Sequence, residues 1–182
     1  KRFVNEYAGR DTLSFAALDQ TDGMFYTIAD QEMAKTVQNH ATQEQIDKMV
    51  EDELIYKADT LEGLAEIIGC DPEVFVDEIN KYNSYVDKGE DPEYGKNVFE
   101  MKITTAPYYA CPAKPAIHHT MGGLEINTKC QVISENGEAV KGLYAAGEVT
   151  GGIHAGNRLG GNAIADIFVF GKIAGKSAAE GL

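Results

Sequence analysis

Gly147-Glu148-Val149-Thr150-Gly151-Gly152-Ile153-His154-Ala155-Gly156-Asn157-Arg158-Leu159-Gly160-Gly161-Asn162-Ala163-Ile164 is the stretch around which the chain is organised. Its 18 positions hold six glycines, one arginine and the opening of a helix. Upstream, Gly142-Leu143-Tyr144-Ala145-Ala146 predicts a short buried strand. Downstream, Ala163 to Ala179 predicts an apolar helix with few charges. A strand, a glycine-rich turn and a helix start together suit an anion. The first helical turn leaves backbone N–H groups without intrahelical partners and carries partial positive charge. Glycines let a ligand come close to that backbone. Glycine clusters more often mark plain loops, and it is Arg158 inside this one that favours a ligand site.

Working outward, Asn136-Gly137 signals a hairpin between Gln131-Val132-Ile133 and Ala139-Val140. Before it, Leu124-Glu125-Ile126-Asn127 alternates as a strand does. Ile117-His118-His119-Thr120-Met121-Gly122-Gly123 precedes that strand. Adjacent histidines on extended chain face opposite ways, so His118 and His119 can serve different partners. No carboxylate or cysteine stands at helical ligand spacing near them, which argues against a metal.

The N-terminal part alternates strands with capped helices. Arg2 to Tyr7 predicts a half-buried strand broken by Gly9, with Arg10-Asp11 at its exit, a pair that by spacing alone is a solvated ion pair. Gly23 to Ala29 predicts a second strand. Thr42 and Gln45 form a capping box before Ile46, Met49, Val50 and Leu54. Thr60 caps a helix with Leu61, Leu64, Ala65 and Ile68 on one face, ending at Gly69. Asp71-Pro72 opens a third helix, with Phe75, Ile79, Tyr82 and Val86 on one face up to Gly89. Residues 89–96 are a charged turn. Between Ala106 and Pro115 lie three of the five prolines, which predict a rigid extended crossing. A domain boundary is expected near residue 105, giving units 1–105 and 106–182.

The bulk composition sets limits. A 43% hydrophobic content over 182 residues supports a true core. A net charge of -13 opposes nucleic-acid binding, which needs clustered lysine and arginine. Cys70, Cys111 and Cys130 have no metal-ligand spacing and predict buried free thiols. The longest apolar run, Ala163 to Phe170, is interrupted by Asp166 and falls well short of the ~20 residues a membrane helix needs. The chain opens on Lys1 with neither an initiator methionine nor a signal peptide, and a fragment is expected. The compartment is not legible.

His118-His119-Thr120-Met121-Gly122-Gly123, Leu143-Tyr144-Ala145-Ala146-Gly147-Glu148-Val149 and Asn157-Arg158-Leu159-Gly160-Gly161-Asn162-Ala163 resemble, in order and spacing, the C-terminal signature of the fumarate reductase and succinate dehydrogenase flavoprotein family. Its soluble fumarate-reductase-like branch is the nearest in pattern. Lys1 to Glu6 and Arg10-Asp11 resemble the start of that family's mobile capping domain, so the resemblance covers essentially the whole chain. It implies an α+β fold, with a capping (lid) domain followed by the C-terminal strand-loop-helix part of an FAD-binding domain.

The resemblance also assigns roles. Arg10 matches the proton-donating arginine, and His118 and Arg158 match the residues that hold substrate carboxylates. Gly161 approaches the substrate. His119, Glu148, Ala163 and Ile164 match flavin contacts, with FAD as the cofactor. The implied reaction reduces the C=C bond of an α,β-unsaturated carboxylate, fumarate to succinate by default. Urocanate or aryl acrylates are alternatives, and a non-catalytic binding or assembly module is the competing class. The implied partners are the small-molecule acid and the upstream FAD-binding half of the same protein; the electron donor is not legible. One departure is that no Gly-x-Gly-x-x-Gly follows an N-terminal strand. The isolated chain is therefore expected to hold flavin weakly or not at all and to be inactive alone.

Overall fold

A computed structural model describes residues 1–36 and 41–181. The fold is α+β, and the chain divides into two compact units, Lys1–Pro115 and Ala116–Leu182. The division falls ten residues beyond the expected boundary because the proline-rich crossing is itself a strand of the first unit.

That strand, β3 (Tyr108–Ala113), is the centre of an antiparallel sheet. It lies between β1 (Phe25–Asp30) and β2 (Tyr56–Ala58). Pro112 pairs opposite Tyr26 of β1, whereas β2 stops at Ala110, so the missing N–H of proline meets no second ladder. The alternation of a strand sends neighbouring tyrosines to opposite faces. Tyr109 joins Ala34, Ile46 and Ile55, while Tyr108 packs with Ile79, Tyr82 and Ile103.

The first of these cores is covered by α3 (Gln43–Glu51), the second by α5 (Pro72–Lys88). The caps form as the sequence predicts. Thr42 accepts from the Gln45 N–H, and the Gln45 side chain accepts from the Thr42 N–H in return. Thr60 caps α4 (Leu61–Ile67) and Asp71 caps α5, each by accepting a backbone N–H. Gly89 ends α5 with φ 68°, a left-handed conformation that glycine adopts without strain. Leu54 lies past the end of α3 and is exposed. A short helix α2 (Gln31–Ala34) is capped by buried Asp30, whose other oxygen accepts from the N–H groups of Thr104 and Thr105 at 2.9 and 3.0 Å.

The expected first strand is absent. Residues 2–7 are irregular, with a bend at Val4 and a turn at Glu6 and Tyr7, where the Asn5 side chain accepts from the Tyr7 N–H and Ala8 N–H closes back on Asn5. Arg2 is drawn inward instead. Its guanidinium donates to Glu6 and to Asp91 at 2.8 Å and stacks over the rings of Tyr82 and Tyr94. Arg10 then opens α1 (Arg10–Leu18) rather than closing a strand. A cavity of about 790 Å³ lies beside this segment, lined by Phe3, Met24, Phe25, Phe75, Tyr82 and Met101 among others. Arg10 is not among its lining residues.

In the second unit β4 (Gln131–Ile133) and β5 (Ala139–Tyr144) form the predicted hairpin, turning at Gly137 with φ 81°. The strand before the glycine-rich stretch forms, but it is exposed from Ala139 to Leu143 and not buried as expected; among the described residues it pairs with β4 alone, in a two-stranded sheet. Leu124 and Ile126 make isolated bridges to Thr150 and Val132 rather than a full strand. Helix α6 (Asn162–Glu180) follows, and the Cys130 thiol donates to the Phe170 carbonyl of that helix at 3.5 Å. Cys130 is fully buried as expected, whereas Cys70 and Cys111 are exposed, against the expectation. Among the described residues no helix is long and apolar enough to cross a membrane.

Candidate functional site

The second unit gathers most of the residues singled out by the sequence. The gathering starts at Gly123, where the chain passes so close to Val149 and Thr150 that an added Cβ would meet the Val149 carbonyl carbon at 2.7 Å. Only glycine fits there. The parallel bridge that results, with Leu124 N–H donating to Val149 and Gly151 N–H donating to Leu124, sets the histidine segment beside the glycine-rich stretch.

Thr120 then joins the two twice. Its N–H donates to Glu148 Oε1 at 3.1 Å, and its hydroxyl donates to the Glu148 carbonyl at 3.2 Å. The Thr120 N–H holds the Glu148 carboxyl below the usual carboxylate range, opposed by a smaller effect of burial. The nearby His119, Arg158 and His118 pull it further down. His118, His119, Glu148 and Arg158 thus share one electrostatic neighbourhood.

His118 is exposed, and His119 is half-buried. Neither ring nitrogen of His119 nor Nε of Arg158 meets a hydrogen-bond partner among the described residues, although all three atoms are shielded from solvent. Arg158 donates through Nη1 to the Leu159 carbonyl at 3.3 Å, and its N–H donates to Asn157 Oδ1. Orphaned buried donors are costly unless something takes them up. They are what a carboxylate and a polar cofactor edge would satisfy, so this donor set fits a flavin with an anionic substrate. Gly161 precedes α6 with φ 86°, and no side chain caps the helix. Ala163 and Ile164 are the second and third residues of its first turn, so their N–H groups belong to the positive end of the helix. Arg10 belongs to the first unit, where it is exposed at the start of α1.

Two further residues complete the neighbourhood and were not singled out from the sequence. His154 packs its ring on His119 in an edge-on contact, centroids 5.7 Å apart and planes at 81°. Its Nε2 lies 3.2 Å from Oδ2 of Asp166, which is 5% exposed. The signal was present: an acid that interrupts the longest apolar run needs a partner if it is buried. Among the described residues no group of three or more His, Cys, Asp or Glu side chains is arranged to hold a metal ion.

Residues 1–164 match the protein family described as FAD binding domain. An NADH:acrylate oxidoreductase from Vibrio harveyi is 52% identical over 180 residues, which covers 99% of this chain and 18% of that protein. A urocanate reductase from Eggerthella lenta is 37% identical over 179 residues, covering 98% of this chain and 30% of the relative. Among solved structures, the open conformation of a flavocytochrome c3 fumarate reductase superimposes with a TM-score of 0.73 at 41% identity, covering 99% of this chain and 31% of that one. The chain therefore spans less than a third of the length of each of these proteins.

Proposed function

The chain belongs to the FAD binding domain family, in the fumarate-reductase-like group of flavoproteins, and from that premise we propose that it supplies the lid and the C-terminal flavin-domain portion of an FAD-dependent reductase of α,β-unsaturated carboxylates. The observation that carries this reading is the Thr120–Glu148 junction, which sets the histidine segment beside the glycine-rich stretch, with His119, Arg158 and His118 all acting electrostatically on that carboxylate. Fumarate is the default substrate. The 52% identity to an acrylate oxidoreductase supports a second candidate, a monocarboxylate, within the same chemistry.

His119, Glu148 and the helix start at Ala163-Ile164 would hold the cofactor, which when bound supplies a hydride to one carbon of the double bond. The remaining work falls to this chain's side chains. Arg158 grips a substrate carboxylate through two parallel hydrogen bonds, and His118 polarises it. Negative charge that develops along the reaction then accumulates where donors already stand. Gly161, without a side chain, lets the substrate lie against the start of the helix. Arg10 delivers a guanidinium proton to the other carbon. A free guanidinium is a poor acid, so Arg10 must be held over the developing carbanion and recharged by neighbours.

The test is a panel of fumarate, acrylate and urocanate assayed on the full-length flavoprotein and its Arg10→Ala variant. We expect one acid to be turned over by the parent, and the variant to keep its flavin while losing turnover. Substantial turnover by the variant would refute Arg10 as the acid. Failure of every acid with flavin bound would refute the reaction class.

A further inference from the structure

We propose that His154 and Asp166 form a buried dyad that fixes the ring of His119, making His154 a positioning residue for the flavin side of the site. The proposal rests on the flavoprotein reading for what His119 faces, but the dyad itself stands on the geometry of the second unit.

Asp166 is the fifth residue of α6, just over one turn in, within an apolar segment, and is 5% exposed. A buried carboxylate without a partner is strongly disfavoured, because the ion has lost its water. Its Oδ2 has His154 Nε2 at 3.2 Å, while Oδ1 has no hydrogen-bond partner among the described residues. A carboxylate acceptor keeps the proton of His154 on Nε2 and fixes the plane of the ring. That ring meets the His119 ring in a T-shaped contact, so its orientation constrains that of His119. His119 has no hydrogen bond of its own among the described residues, since both its ring nitrogens are orphaned. Packing on His154 is then what fixes the direction in which those nitrogens point. The dyad also ties the loop bearing His154 to the same helix whose first turn, Ala163-Ile164, is assigned to the flavin.

A bland alternative is that His154 only satisfies Asp166. His154→Gln separates the two roles, because an amide N–H still reaches Asp166 but offers no ring to His119. We would measure the two-electron flavin potential in the full-length flavoprotein for His119→Ala, His154→Gln, Asp166→Asn and the double variant His119→Ala/His154→Gln. The expected result is that His154→Gln lowers the potential as far as His119→Ala does, and that the double variant goes no lower. A tenfold change in the relative binding of oxidised and reduced flavin would be read as about 30 mV. A wild-type potential for His154→Gln beside a shifted His119→Ala, or additive shifts in the double variant, would overturn the proposal.

If His119→Ala leaves the potential unmoved, or no flavin binds, the fault lies in the flavoprotein assignment of His119. The dyad is then judged by imidazole ¹⁵N resonances recorded without flavin. Loss of a single His119 tautomer in Asp166→Asn and in His154→Gln supports it, and unchanged His119 signals in both refute it.

Discussion

Asp91→Asn isolates the charge clasp at the start of the chain. In the folded protein Asp91 Oδ2 accepts from Arg2 at 2.8 Å, and Oδ1 accepts from the N–H groups of Glu93 and Tyr94 at 3.0 and 3.2 Å. The residue is 3% exposed. Asparagine keeps the two backbone bonds through its own oxygen but turns an amide NH₂ toward the guanidinium, donor against donor. What is lost is one charge-assisted hydrogen bond, worth about 1.5–3 kcal/mol. Arg2 retains Glu6 and the faces of Tyr82 and Tyr94, so the ~3–5 kcal/mol for stripping a buried ion of all partners is an upper bound. A loss of about 2–3 kcal/mol at roughly 4–6 °C per kcal/mol for a unit of this size lowers Tm by about 8–18 °C.

The clasp also has a pH signature. Burial alone would raise the Asp91 carboxyl, but hydrogen bonds from Arg2 and from the Tyr94 and Glu93 N–H groups outweigh it and hold the carboxyl below its ordinary value. A group depressed in the folded state contributes its stability above the unfolded pKa, here about 3.9, and loses it as pH falls through the lower folded value. The Tm gap between wild type and variant should therefore be full at pH 7 and narrow below about pH 4. Circular dichroism melts measure the gap, and amide exchange in α5 assigns it to the first unit. A gap under about 3 °C at pH 7, or one that stays constant down to the most acidic buffer, would refute the reasoning.

Two other outcomes follow from the second unit and the cysteines. Gly123→Ala should destabilise that unit by about 3 kcal/mol or more, whereas Gly122→Ala, with nothing within 4 Å of the added carbon, should stay within about 0.5 kcal/mol of wild type. Equal melting of the two variants would contradict the close approach at Val149. A water-soluble maleimide should label Cys70 and Cys111 quickly and Cys130 only on unfolding, because burial both shields that thiol and pushes its pKa up. Rapid labelling of all three in the folded protein would place Cys130 at the surface.

How far the sequence could be read depended on how local each interaction is. Thr42 with Gln45, Thr60, and Asp71-Pro72 were legible because each cap and the N–H it accepts lie within three residues. Arg2 was not, since its bonded partners include Glu78 and Asp91, 76 and 89 residues on. The alternating pattern from Arg2 to Tyr7 suggested a strand, but long-range charge and one Asn5 side-chain bond decided the backbone. In the same way the prolines of 106–115 hid a central strand, because tolerance of Pro112 depends on where the neighbouring β2 stops. In the second unit the motif residues could be found by type and spacing. The His154–Asp166 contact joins residues 12 apart, across a glycine-rich loop and the first turn of α6, and no single periodicity describes that course.

On the proposed reading, the site must hold an anion in a chain of net charge -13, with a glutamate in its midst. The placement of Glu148 resolves this. A carboxylate beside Arg158 would compete with substrate for the guanidinium if nothing else engaged it. The Thr120 N–H is the largest influence on Glu148, ahead of His119 and Arg158, so its charge is engaged chiefly by backbone. Arg158 keeps a buried Nε with no partner among the described residues. A guanidinium left short of a hydrogen bond beside a satisfied carboxylate has capacity for an incoming acid. The acidic surface then acts on the approach of substrate and not on its capture, and its influence decays over roughly 8 Å at physiological ionic strength.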